Sequence, residues 1–172
     1  MKRSLAVVAG MFALLFGAAA AQAETVVKLT QMHICCGGCT NGIKNAVKDL
    51  TDAKVAVDQA NEEATVTAAT PEAAQKAVDA IVAAGYHAKA EGATIKDDSG
   101  APSGKVKRLT VSNAHNCCGA CTKAIKAAIK EVPGVVADTC KSKQKEFVIE
   151  GDFDAKAVVT ALYDAGFHVS VK

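Results

Sequence analysis

The sequence predicts an α+β fold built twice, each copy running β-α-β-β-α-β. Two observations carry this: a cysteine-rich stretch that recurs at a fixed offset, and the same alternation of strand and helix periodicity around each occurrence. His33-Ile34-Cys35-Cys36-Gly37-Gly38-Cys39 returns as His115-Asn116-Cys117-Cys118-Gly119-Ala120-Cys121, 82 residues later. The offset holds outward: Val27 and Leu29 fall on Leu109 and Val111, Ile43 on Ile125, Val47 on Ile129, and Val66 on Val148. After a one-residue slip, Ala84-Gly85-Tyr86-His87 matches Ala165-Gly166-Phe167-His168. Self-similarity at this scale marks a duplicated structural unit.

In the first copy, Val27, Leu29 and Gln31 alternate with their neighbours as a half-buried strand does. Ile43, Ala46, Val47 and Leu50 have helical spacing, which predicts an amphipathic helix from Cys39 to Leu50. Strands follow at 54–58 and 64–68. Pro71 opens a second helix and Gly85 stops it, the usual asymmetry of helix ends. Tyr86, Ala88 and Ala90 alternate in a last strand. The second copy repeats the order: strand 106–111, helix 121–132, strands 135–140 and 146–150, helix 154–165, strand 167–171. This is the ferredoxin-like split βαβ arrangement, with helices covering one face of an antiparallel sheet.

Residues 1–23 read as a secretory signal. Lys2 and Arg3 precede an apolar run from Leu5 to Ala20, and Ala21-Gln22-Ala23 has the form of a cleavage site. The mature chain is expected to be periplasmic or secreted, after cleavage near Ala23. The first unit then spans 24–91, a polar linker 92–104, and the second unit 105–172. The linker holds Asp97-Asp98-Ser99-Gly100-Ala101-Pro102-Ser103-Gly104 and is expected to be flexible. With Lys2 and Arg3 removed, the 20 basic and 18 acidic residues balance. That balance, with no Trp, argues against nucleic acid as a partner.

Seven cysteines are unusual in an oxidising compartment, and an odd number cannot all pair within one chain. Six of them sit in the two clusters, the pattern of metal or redox chemistry. Each cluster lies where a strand gives way to a helix. The glycines of Gly37-Gly38 and Gly119-Ala120 allow a tight turn, so that neighbouring sulfurs can face one point. The positive helix end favours thiolate over thiol. Thiolates are soft ligands that select Cu(I), Hg(II), Cd(II) or Zn(II) over hard cations.

Cys36-Gly37-Gly38-Cys39 and Cys118-Gly119-Ala120-Cys121, in this strand order, resemble the heavy-metal-associated (HMA) domain. Val132-Pro133-Gly134-Val135 and the Ala-Gly-aromatic step before the last strand look like that family too. The resemblance implies metal binding by Cys36 and Cys39 in one copy and Cys118 and Cys121 in the other, with Cu(I) favoured. The chain departs from the family's Met-x-Cys-x-x-Cys pattern: Ile34 and Asn116 occupy the Met position, and Cys35 and Cys117 add a third thiol. A three-sulfur site, or a Cys₃His site using His33 or His115, is open.

His87 and His168 start the last strands near the loops, but alternation places them on the open sheet face, in solvent. Cys140, without a counterpart in the first copy, reads as an unpaired or intermolecular thiol. Nothing pairs a nucleophile with a base, so no enzymatic activity is expected. The predicted activity is capture and transfer of a soft metal by thiolate exchange. A membrane transporter or another metal-binding protein would be the partner, with metal-bridged self-association a further option. Two loops on one chain could also hold one ion between them. The competing readings are a thiol–disulfide oxidoreductase using the Cys-x-x-Cys pairs and a module that uses metal only as a structural staple.

Overall fold

The computed structural model describes residues 23–172. The signal expected over 1–23 lies outside the described residues except for its last position. The order of elements repeats as β1 (Thr25–Thr30), α1 (Gly37–Val47), β2 (Ala53–Asp58), β3 (Glu63–Ala68), α2 (Pro71–Ala83) and β4 (Lys89–Glu91), then β5 (Lys105–Ser112), α3 (Gly119–Lys130), β6 (Val135–Asp138), β7 (Glu146–Asp154), α4 (Ala155–Asp164) and β8 (Ser170–Val171). Each set of six forms a four-stranded antiparallel sheet, ordered β2-β3-β1-β4 and β6-β7-β5-β8. The α+β architecture agrees with the ferredoxin-like expectation. No helix among the described residues is long and apolar enough to cross a membrane.

The apolar patterns become the cores. Val27 and Leu29 of β1 and Cys39, Ile43 and Val47 of α1 are buried together with Ala74, Ala77, Val78 and Ile81 of α2. Leu109, Val111, Cys121, Ile125 and Ile129 repeat the arrangement in the second half, joined by Phe147, Phe153 and Leu162. Full burial of each large aliphatic side chain contributes about 1.5–3 kcal/mol. Thr70 caps α2 by accepting from Ala73 N at 3.2 Å, and Asp154 caps α4 by accepting from Ala157 N at 3.0 Å.

Tyr86 OH donates to Cys39 O at 3.2 Å. The hydroxyl passes over Gly42, where a Cβ would stand 2.2 Å from it. The second half has Phe167 and Ala124 at the matching positions.

Two expectations about the chain between the elements need correction. The last strands do not begin at Tyr86 and Phe167. These residues instead pair with each other as an antiparallel bridge between the halves, with His87 N donating to Gly166 O at 3.1 Å and His168 N to Gly85 O at 3.0 Å. Regular pairing within each sheet starts only at Lys89 and Ser170. The stretch 92–104, read as a flexible linker, is pinned to both halves. Gln75 exchanges hydrogen bonds with Thr94, at 2.7 and 2.9 Å, and Ser99 O accepts from Val171 N at 2.7 Å. Its polar residues find partners on the protein, which composition alone does not show.

Candidate metal centre

Both loops leave their first strand through a residue in the left-handed region, Gln31 at φ 57° and Asn113 at φ 66°. The turn directs the next residues inward: Met32, Ile34 and Ala114 are buried. Ile34, at the Met position of the Met-x-Cys-x-x-Cys pattern, is therefore a core residue. In the first half the loop is tied to the β2–β3 hairpin by Met32 N donating to Glu62 O at 3.1 Å. In the second, Asn116 does this work. Its Nδ2 donates to Lys141 O at 2.8 Å and Gln144 O at 3.1 Å, and its Oδ1 accepts from Thr122 Oγ1 at 2.8 Å. Asn116 was not singled out from the sequence beyond its place at the Met position. A polar residue next to an otherwise apolar loop is the signal that could have found it.

The helices start two residues earlier than the periodicity predicts, so Cys36 and Cys118 are the N-cap residues of α1 and α3. They stand where Ser, Thr or Asp usually sits, at the helix end where backbone N–H groups lack partners within the helix. The Cys118 thiol is lowered to about 7, first by the backbone N–H of Cys121. Cys39 and Cys121 lie one turn further on and are fully buried.

The bridge between Tyr86 and Phe167 brings the two loops face to face, and all six cysteines meet. Cys39 Sγ and Cys121 Sγ, 3.9 Å apart, form the centre. Cys35 Sγ lies 3.7 Å from Cys39 and 3.5 Å from Cys121. Cys117 Sγ mirrors it, 3.6 Å from each. Cys36 and Cys118 stand at the rim, 3.9 Å from Cys117 and 3.6 Å from Cys35 respectively. In the free thiol state only part of this set carries charge. Cys39 is held down by the hydrogen bond from Cys121, and the same bond pushes Cys121 up. Burial raises Cys35, and raises Cys117 to about 12. Cys39 therefore holds its charge against Cys35, Cys117 and Cys121, which keep their protons.

The two histidines before the cysteines differ. His115 stacks on Tyr86, its ring centroid 4.0 Å away, and both its nitrogens face carbonyl oxygens: Gly85 O at 2.8 Å and His33 O at 3.1 Å. Ligation by His115 would cost one of these contacts. His33 Nε2 is buried and has no hydrogen-bond partner among the described residues. One ring nitrogen of His33 lies within 4.8 Å of the sulfurs of Cys35 and Cys121. Burial, then the neighbouring His115, lowers the His33 pKa, keeping a lone pair available.

His87 and His168 are not on a solvated face, as alternation alone suggested. The halves meet over them: His168 is only 2% exposed, its Nδ1 is 3.1 Å from His87 Nδ1, and its Nε2 lies 2.7 Å from Asp98 Oδ1. Tyr163 stacks on both rings. Cys140 is buried against Asn116 Nδ2 at 3.7 Å, and burial raises it to about 11. It belongs to the loop's packing and stands outside the sulfur cluster.

The histidine pair has a pH consequence. Burial, then His168, lowers His87 from 6.5 to about 4. Asp164 and Asp97 offset only part of that penalty, while Asp98 pairs with His168 and Tyr163 stacks on both rings. The unfolded chain binds the proton first, so stability is full above about pH 6.5 and falls as the pH drops toward about 4. The loss is at most about 3 kcal/mol. Urea melts at pH 7 and pH 5 should show it, and His87→Gln should flatten the difference. An unchanged slope in the variant would place the acid sensitivity elsewhere.

Residues 108–168 match the family model of the heavy-metal-associated domain. Among solved structures, the chain is similar to oxidized MerP from Ralstonia metallidurans CH34, at 30% identity over 38% of this chain and 96% of that one, with a TM-score of 0.34. It is also similar to the N-terminal soluble domains of Bacillus subtilis CopA, at 14% identity over 88% of this chain and 95% of that one, with a TM-score of 0.33. No curated protein matches the chain.

Proposed function

Residues 108–168 form a heavy-metal-associated domain, and on that premise we propose that the whole chain is an exported protein that captures soft metal ions, Cu(I) above all, for sequestration or transfer. The observation that supports this most is the meeting of six reduced sulfurs from two loops, with neighbours 3.5–4.0 Å apart. Soft sulfur donors suit Cu(I), with Hg(II), Cd(II) and Zn(II) as weaker candidates. The metal-binding residues in this reading are Cys35, Cys36, Cys39, Cys117, Cys118 and Cys121, with His33 as a nitrogen donor.

The rim sulfurs Cys36 and Cys118 are half-buried, whereas Cys39 and Cys121 are closed off. A rim thiolate meets a metal held by a partner, a new metal–sulfur bond forms as the partner's bond breaks, and the ion passes inward to the central pair. The partner would be a metal-transporting membrane protein or another thiolate-bearing carrier. A disulfide oxidoreductase is the less suitable reading: the second cysteine of each Cys-x-x-Cys pair is fully buried and its sulfur packs against the opposite loop.

Anaerobic purification followed by elemental analysis tests the function. Copper should co-purify, or bind on addition against a Cu(I) chelator, and binding should be lost when Cys36, Cys39, Cys118 and Cys121 are all changed to Ser. A reduced chain that binds no soft metal but turns over a disulfide substrate would reverse the assignment.

A further inference from the structure

The close sulfur pairs define three-sulfur faces: Cys35-Cys39-Cys121, Cys39-Cys117-Cys121, Cys35-Cys118-Cys121 and Cys36-Cys39-Cys117. Every one of these faces takes sulfurs from both loops. Their edges measure 3.5–4.0 Å. A metal–sulfur bond of about 2.3 Å sets the scale: three sulfurs around one ion stand about 4.0 Å apart, whereas two sulfurs on opposite sides of an ion span about 4.6 Å. The spacing therefore suits ions with three sulfurs each and is too tight for linear two-sulfur sites. The faces also share edges, through Cys39–Cys121, Cys35–Cys121 and Cys39–Cys117. Ions on neighbouring faces must be bridged by common sulfurs.

We propose that the two loops build one polynuclear thiolate centre, shared between the halves, that takes about four Cu(I) ions rather than one ion per loop. This rests on the soft-metal reading above. The stoichiometry follows from counting: Cys39 and Cys121 lie on three faces, Cys35 and Cys117 on two, and Cys36 and Cys118 on one, so with one ion to a face six sulfurs serve about four ions. The extra cysteines, Cys35 and Cys117, explain themselves in this arrangement. Each lies on two faces and links the central pair to the opposite loop. Ions enter as Cu(I) from a thiolate donor, so no electron is transferred. The sulfurs still protonated give up their protons to solvent as they fill, and six thiolates with about four monovalent charges leave the centre with two negative charges. His33, with one ring nitrogen within 4.8 Å of the sulfurs of Cys35 and Cys121, is a further donor at one edge.

The test is an anaerobic titration of the reduced chain with Cu(I), using a competing chelator, elemental analysis and X-ray absorption. The expected result is about four ions per chain, bound cooperatively, with a metal–metal distance of about 3 Å or less, as ions that share an edge of two sulfurs 3.5–3.9 Å apart at about 2.3 Å from each require. The Cys35→Ser, Cys117→Ser double variant breaks all four faces, each of which contains one of these two residues, so it should lose most of the copper together with the metal–metal signal. Two independent ions per chain without that signal would overturn the shared centre and leave the soft-metal function standing. The double variant loading like the natural chain would also overturn it. A chain that takes no copper at all would overturn the centre and the function together.

Discussion

Loading the reduced chain with Cu(I) is expected to raise its unfolding midpoint by roughly 10 °C, with both halves melting in one transition. Before loading, the central contact between the halves is made of thiols, most of them protonated, that hold one another only by weak S–H hydrogen bonds. A ligand that binds the folded state alone at a thousandfold excess over its dissociation constant adds about 4 kcal/mol. Here the ions bond to both loops, so the added stability is felt across the interface and not in one half. Scanning calorimetry of reduced samples with and without Cu(I) gives the answer. Separate transitions that persist after loading would mean that the metal serves each loop on its own.

Replacing Gly166 with Ala should be nearly as consequential. Gly166 has a φ of +81°, and a Cβ there would lie 2.3 Å from His33 N and 2.8 Å from Met32 C, both backbone atoms of the other half. Backbone cannot step aside as a flexible side chain does, so the halves must part. The cost is about 2–4 kcal/mol, combining the left-handed backbone with overpacking. The displaced segment, Met32–His33, leads directly to Cys35, so copper capacity should fall as well. Gly134→Ala is the control. Its φ is +92° and its Cβ would lie 2.1 Å from Asp152 O, but that clash is internal to the second half, between the turn before β6 and β7. It should lower stability to a similar degree and leave copper capacity intact. Equal copper loading in Gly166→Ala and the natural chain would show that the face-to-face packing is not needed for the site.

The order of strands and helices was legible because it rests on local patterns: the alternation in Val27 and Leu29, the spacing of Ile43 and Val47, and the Pro71 and Gly85 punctuation. The repeat was legible for the same reason, and it located both cysteine loops. What one half does to the other was not. Tyr86 and Phe167 have the look of ordinary strand residues, and nothing local says that they pair across the interface. That pairing buries His168 and turns Cys35 toward Cys118. The linker shows the same limit: Asp98 and Ser99 are typical of a solvated turn, yet one meets His168 and the other meets the last strand. Helix starts were misplaced by two residues because the hydrophobic spacing is silent over Gly37-Gly38 and Gly119-Ala120.

Tyr86 and Phe167 clasp the two halves beside the sulfurs, and that clasp bears on time as well as on geometry. The central sulfurs of Cys39 and Cys121 have no exposed surface. An acceptor can touch the rim at once but reaches the centre only when the clasp loosens. Outer ions should then exchange quickly and inner ones slowly, so that a single protein offers a fast-turning pool and a long-lived reserve. The His87–His168 contact sits on the same clasp, and mild acid, by weakening it, would shorten the lifetime of the reserve.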